Sequence, residues 1–378
     1  MKEINFYFHI PYCKAKCRFC SFYVIPGRKT RLDDYFLALH KEILSYKETF
    51  NKYNIKTIYV GGGTPSLVDS HYVSSTIQLI KSNFNVNIDC EVSVETNPET
   101  ITEEKIKDYI DAGVNRISIG LQSTNNQTLK FLGRLYTFEE FKERYSIVKS
   151  LNFNNVNLDL IFGIPNQTME EWEESLLDTI ELNPNHISTY SLEIDEDSIF
   201  GYLEKKGRFK RADESIDRKM YRLSKKILNQ HNYDQYEISN FAKGGFECRH
   251  NQNIWNGEDY IGFGASSHSR FNSTRFNNIN SLEKYIEIIN TNQDTKENII
   301  QLTEADLLNE RILLNLRTTK GINVLKVNKD FRIDFIKNYE SELSELSKLK
   351  LVEINNNYIS LTPKGQDLEN FVDLKLIN

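Results

Sequence analysis

The sequence predicts an α/β fold: an open, partial barrel of about six βα units followed by a smaller C-terminal region of short helices and a β-wing. Three observations carry this reading. Apolar, β-rich runs recur at 4–10, 55–60, 88–94, 116–121, 156–162 and 186–192, each separated from the next by a stretch with helical periodicity. The stretches that begin at Asp33, Glu170 and Asp217 place apolar residues three and four apart, as helices covering a sheet do. The count stops short of the eight units a closed barrel needs, so the sheet stays open. Parallel strands with right-handed crossovers follow, and ligands are expected at the carboxyl ends of the strands.

The first run leads directly into Cys13-Lys-Ala-Lys-Cys17-Arg-Phe-Cys20. Three thiolates are an odd number, which suits neither a disulfide framework nor a closed four-ligand zinc site. An iron–sulfur cluster can use three and leave one iron open to a small molecule. For a C-x2-C pair taken alone, a zinc knuckle or buried structural thiols would be the alternative. After the second run comes Gly61-Gly62-Gly63-Thr64-Pro65-Ser66, where missing side chains let backbone groups approach a ligand, although an isolated glycine run also makes a plain turn. The third run ends in Glu95-Thr-Asn97-Pro98 and the fourth in Gly120-Leu-Gln122-Ser123. The fifth carries Asp159-Leu-Ile-Phe-Gly-Ile-Pro165, and Leu132-Gly-Arg134 supplies a cation. Each run is expected to put a polar side chain at a strand terminus. Singly, each would read as a solvated loop carboxylate or a surface arginine.

Composition bounds the rest. With 378 residues, 39% of them hydrophobic, the chain can bury a large core and divides into roughly two domains, expected at 1–290 and 300–378 with an Asn-rich linker near Asn290. No signal-peptide pattern opens the sequence and no apolar run approaches the ~20 residues that span a bilayer, so a cytoplasmic protein without an integral membrane segment is expected. Peripheral membrane association and a homodimer stay compatible with that. Cys90 and Cys248 have no evident partners, as in a reducing compartment. A net charge of -6 argues against a nucleic-acid partner, and residues 301–378 hold 11 Lys/Arg against 12 Asp/Glu, which offers phosphates no attractive face.

The C-x3-C-x2-C spacing after a first strand, within Tyr7-Phe-His9-Ile-Pro11-Tyr, resembles the radical S-adenosylmethionine (SAM) superfamily. Together with the Gly-Gly-Gly-Thr-Pro loop, Glu-x-Asn-Pro, Leu-Gly-Arg and Asp-Leu-Ile-Phe-Gly-Ile-Pro, it is similar to the oxygen-independent coproporphyrinogen oxidase branch over nearly the whole chain. The resemblance implies a partial (β/α)6 barrel with a small C-terminal winged-helix-like domain. It implies a 4Fe–4S cluster on Cys13, Cys17 and Cys20 whose open iron chelates SAM, and reductive cleavage of SAM to a 5′-deoxyadenosyl radical. Tyr7, Gly62, Gly63, Thr64, Glu95, Gln122, Arg134 and Asp159 are then expected to hold SAM.

That branch contains coproporphyrinogen III dehydrogenases (HemN) and the HemW proteins, regarded as heme chaperones. The enzymes extend the cluster motif by a further x-Cys; here that position is Phe22. The segment His250-Asn251-Gln-Asn-Ile254-Trp255 resembles the heme-associated HemW signature, with Ile254 in place of the usual Tyr. The resemblance implies heme contact at His250, with Asn251 orienting the ring and Trp255 covering the porphyrin face. His268, in Gly262-Phe-Gly264-Ala265-Ser-Ser-His268, is a second ligand candidate. Heme delivery to a respiratory acceptor protein is the implied function. The alternative is oxidative decarboxylation of coproporphyrinogen III, against which Phe22 argues. No residue receives a catalytic role, and Tyr136, where the family often has His, receives none.

Overall fold

Six strands run parallel and lie side by side in sequence order: β1 (Lys2–Ile10), β2 (Tyr53–Gly62), β3 (Asn85–Thr96), β4 (Arg116–Gln122), β5 (Val156–Phe162) and β6 (His186–Ser191). The structure, a computed structural model, describes residues 2–27 and 30–377. Along these strands apolar residues on the helix-covered face largely alternate with polar residues that point into the barrel, and the recurring β-branched and aromatic residues made the six strands legible. Phe6, Phe8, Ile55, Ile58, Ile117, Ile119, Leu158 and Leu160 are all fully buried among them. Each such side chain contributes about 1.5–3 kcal/mol relative to exposure. Helices fill the crossovers. The helix Glu103–Ala112, for example, begins where the Thr102 side chain accepts from Lys105 N and ends at Gly113 in the left-handed region, φ 90°.

The sheet extends at both ends without closing. Beyond β1 come Tyr260–Phe263, parallel to it, and then the antiparallel strands His268–Phe271, Thr274–Asn278 and Lys296–Gln301. Beyond β6 come Asn240–Ala242 and Asp234–Gln235, antiparallel. The fold is therefore an open, partial barrel with its strand ends gathered at one mouth. Tyr190 of β6 keeps 41% of its surface exposed.

Two expectations change. The Asn-rich stretch after Asn290 is not a linker throughout, because Lys296–Gln301 hydrogen-bonds to Thr274–Asn278 as an edge strand. The first unit thus reaches Gln301, past the expected limit of 290, and the second begins with the helix Glu304–Leu316, whose Thr303 and Asp306 form a capping box. That second unit has its own core, with Ile312, Leu316, Val327, Phe335, Leu346 and Ile359, beneath a three-stranded wing of Ile322–Asn323, Tyr358–Leu361 and Val352–Asn355. The two units meet where Asn315 donates to the Trp255 carbonyl (2.8 Å), Arg317 stacks on Trp255 (5.0 Å), and Glu237 bridges to Thr318. Among the described residues no helix is long and apolar enough to cross a membrane.

Candidate functional site

The cysteine loop is pinned from three sides at the barrel mouth. Gly63 N donates to Ile10 O and Thr64 N to Tyr12 O, Arg18 N donates to Leu132 O, and Phe200 N donates to Arg18 O. Its thiols stay half-exposed. Burial, followed by the neighbouring Cys20 and Cys17, pushes the Cys13 thiol up to about 11, and burial raises Cys20. A cationic centre that binds thiols as thiolates relieves the cost of ionising Cys13 and Cys20. Among the described residues no group of three or more His, Cys, Asp or Glu is set to grip a single metal ion. A 4Fe–4S cluster asks for something else, one thiolate on each of three irons, and this loop fits it.

The strand ends pack against that loop. Gly62 adopts φ 113° and a Cβ there would stand 2.8 Å from His9 Nδ1; a Cβ on Gly63 would meet Tyr12 O at 2.8 Å and Cys13 Sγ at 3.0 Å. The glycines therefore first allow β2 to lie against the cysteine loop. Thr64 Oγ1 sits 3.5 Å from Cys13 Sγ and accepts from Asn97 Nδ2 at 3.1 Å. Glu95 accepts from Tyr59 OH (2.8 Å) and Gly62 N (3.2 Å), and burial with the charge of Asp159 raises its carboxyl to about 7. Arg134 donates to Cys17 Sγ (3.2 Å), Asn97 Oδ1 (2.5 Å) and Gly120 O (3.1 Å). Gln122 ends β4 with φ 69°. Cys13, Cys17, Thr64, Asn97 and Arg134 thus form one connected polar arc.

Asp159 departs from expectation. It lies mid-strand, below the terminus of β5, where Ser118 (3.1 Å) and Asn157 (2.8 Å) donate to it and join it to the buried chain Asn157–His186–Tyr236. Tyr136, given no role from sequence, holds the arc: its hydroxyl accepts from Arg134 Nε (3.0 Å) and touches the Gly120 carbonyl (2.5 Å). The replacement of a family histidine masked it.

A cleft of about 580 Å³ is lined by Lys16 of the cysteine loop and by Ser21 and Phe22 just after it, together with Tyr7, His9, His250, Ile254, Tyr260 and His268. That volume suits a drug-sized or larger flat ligand. The three imidazoles differ. His9 spends both nitrogens, Nε2 on the Tyr23 carbonyl (2.9 Å) and Nδ1 on Tyr7 OH (3.0 Å), and burial lowers it to about 4. His268 is exposed at the start of its strand. His250 is buried and stacked on Tyr59 (4.9 Å), its Nδ1 is 2.7 Å from Thr57 Oγ1, and burial followed by Arg116 lowers it to about 3. Neutral imidazoles are the ligating form.

Glu91 sets the helix Arg249–Trp255 that carries His250, accepting from the backbone N–H of Arg249 (2.9 Å) and of His250 (3.0 Å). Thr57, not Asn251, is the side chain that holds the ring. Trp255 faces Arg317 at the seam rather than the cleft, which Ile254 lines in its stead. One helical step separates these side chains by about 100°, so adjacent residues cannot share a face.

The Radical SAM superfamily model matches residues 7–178 and the HemN C-terminal domain model matches residues 302–368. The heme chaperone HemW of Lactococcus lactis subsp. lactis is 32% identical over 100% of this chain and 98% of its own length. The chain belongs to the HemW family. HemW of Bacillus subtilis is 30% identical over 97% of both chains, and HemW of Escherichia coli is 35% identical over 71% of each. Among solved structures, coproporphyrinogen III oxidase (HemN) from Escherichia coli superposes with a TM-score of 0.87 at 23% identity, covering 100% of this chain and 90% of that one. That likeness speaks to the fold alone.

Proposed function

We propose that this protein is a heme chaperone that binds a 4Fe–4S cluster, SAM and heme and passes the heme to an acceptor protein. The observation that carries the reading is the shared cleft: His250 faces the same cavity as Lys16 of the cysteine loop and Ser21 and Phe22 just after it. Cys13, Cys17 and Cys20 hold the cluster. Tyr7, Gly62, Gly63, Thr64, Glu95, Gln122 and Arg134 surround SAM, and Asp159 supports them from below. A reduced cluster of this kind supplies the electron that cleaves SAM. Lys16 gives an anionic edge of the porphyrin a cation, while Phe22, 65% exposed, and Ile254 give its face apolar contact. His250 and His268 offer imidazoles to the iron.

The test is anaerobic reconstitution followed by heme titration with the acceptor withheld and then added. A Soret band that saturates near one heme per chain, and that leaves with an added apo-respiratory heme protein, supports the reading. Conversion of coproporphyrinogen III to protoporphyrinogen IX by the same preparation overturns it in favour of the enzyme.

A further inference from the structure

A histidine can ligate iron only through a nitrogen that carries no proton, and which nitrogen that is depends on what the other one touches. The partners of His250 decide this through a buried relay. Asn5, in the middle of β1, is fully buried, and its Nδ2 donates to the backbone carbonyl of Asp259 at 3.1 Å. A carbonyl only accepts, so this bond fixes the amide and turns Asn5 Oδ1 toward the barrel interior. Two groups reach that oxygen: Asn253 Nδ2 at 2.8 Å and Thr57 Oγ1 at 2.9 Å. An amide oxygen cannot donate, and a hydroxyl has one proton. The Thr57 proton is therefore committed to Asn5, and Thr57 Oγ1 faces His250 Nδ1, 2.7 Å away, as an acceptor.

We propose that Asn5 and Thr57 are positioning residues that fix His250 as its Nδ1–H tautomer, so that the Nε2 lone pair is presented to the cleft for heme iron. Nε2 has no hydrogen-bond partner among the described residues, and the ring lines the cleft while Tyr59 stacks on its other side. Asn253, on the same helix as His250, ties that helix to the relay, so the ring and the backbone that carries it are referenced to one atom of β1. His9 runs the opposite way: its Nε2 must donate to the Tyr23 carbonyl, and its Nδ1 is occupied by Tyr7. Two buried histidines thus share one cleft, and of the two the hydrogen-bond directions leave only His250 with a free nitrogen. Ligating histidines commonly donate their second nitrogen to an oxygen acceptor, and loss of that acceptor weakens binding by about 10–100-fold.

This inference rests on the heme-binding reading, and the experiment separates the two. In protein labelled with 15N-histidine and free of heme, long-range 1H–15N correlation reads the tautomer directly, His250 being assigned by the signal lost in His250→Ala. The expected result is an Nδ1–H pattern in wild type and in Thr57→Ser. In the isosteric Thr57→Val, the expected result is a mixed or Nε2–H pattern with heme affinity at least tenfold lower. An Nε2–H pattern in the wild type, or a Thr57→Val protein whose tautomer and heme affinity match the wild type, overturns the relay. If His250→Ala binds heme with unchanged affinity and spectrum while the wild-type pattern is Nδ1–H, the heme-ligand role fails and the relay alone stands.

Discussion

The cysteine loop beside the cleft spans eight residues and leaves its thiols half-exposed, whereas the relay behind His250 is assembled from β1, β2 and the helix Arg249–Trp255, and its members Asn5, Thr57, His250 and Asn253 are all buried. The first is held at its edges by backbone bonds, and its sulfurs meet few fixed partners beyond Thr64 and Arg134. The second is a chain of hydrogen bonds through buried groups, Asp259–Asn5–Thr57–His250. The difference teaches how a protein separates an exchangeable centre from a fixed one. A loop that must accept an inorganic core keeps its ligands accessible and leaves their charges to be neutralised by the occupant. A residue that must present one lone pair in one direction is locked before the ligand arrives.

Removing a ligand from the cysteine loop has the largest expected effect. Cys17→Ser takes away the thiol that Arg134 faces and leaves two, too few to hold three irons of a cubane. Iron and sulfide content after anaerobic reconstitution should fall from near four of each per chain to background, with loss of the brown colour, while the circular dichroism stays native. A Cys17→Ser protein that keeps a normal cluster would sink the metal assignment. Because the thiols stand at the rim and not in either core, no comparable loss of stability accompanies the change.

The loop and the relay also differ in how far the sequence exposed them. Cys13, Cys17 and Cys20 lie within eight residues of one another, so spacing alone carried their chemistry. The strands were visible because their helix-covered face repeats large apolar residues; β3 starts three residues before its expected limit because Asn85–Asp89 is largely exposed, and Ile88 within it is fully exposed. The relay was invisible: Thr57 and His250 are 193 residues apart, and Asn5 and Asn253 are 248 apart. Threonine in a strand reads as β-propensity, and asparagine in a strand reads as a defect. Lys296–Gln301 was missed for a related reason, since its ladder uses backbone groups while its side chains stay mostly exposed and lack an alternating pattern. Trp255 was assigned to the porphyrin because the motif put it near His250; its direction on the helix was legible only from Arg317 and Asn315 of the second unit.

That seam lies behind the relay, and it sharpens the contrast between loop and relay. Trp255→Ala removes the ring on which Arg317 stacks and opens space beneath the helix that carries His250. A buried Trp→Ala change costs about 3–5 kcal/mol, and the partial exposure of Trp255 puts this one near the low end, about 3 kcal/mol. Denaturant unfolding should show the loss, and heme affinity should fall with it because His250 shares the helix. Cluster content should not change, since no element of the cysteine loop touches Trp255. Equal losses of cluster and heme would mean that the loop and the relay are not independent.

The smallest effect expected is on pH dependence, and it comes from Glu237 at the same seam. Glu237 is 1% exposed, and burial raises its carboxyl from 4.5 to about 7 despite the opposing pull of Arg317 and of the Ser239 N–H. Glu369 and Asp373 also face Arg317 from the second unit, and burial raises both. Between pH 4.5 and 7 the unfolded chain has lost the Glu237 proton and the native protein keeps it, so fewer protons are bound on unfolding and stability falls as pH rises. The contribution is complete below the unfolded value and gone above about 7. A tenfold difference in proton affinity between the two states corresponds to about 1.4 kcal/mol, so about 2 kcal/mol is lost between roughly pH 5 and 7.5. Glu237→Gln, which cannot titrate, should flatten that part of the stability curve while the hydrogen bond to Ser239 N persists through the amide oxygen. Urea midpoints at half-unit pH steps would read the slope, and an unchanged slope in Glu237→Gln would move the titrating group to Glu369 and Asp373 on the other side of Arg317.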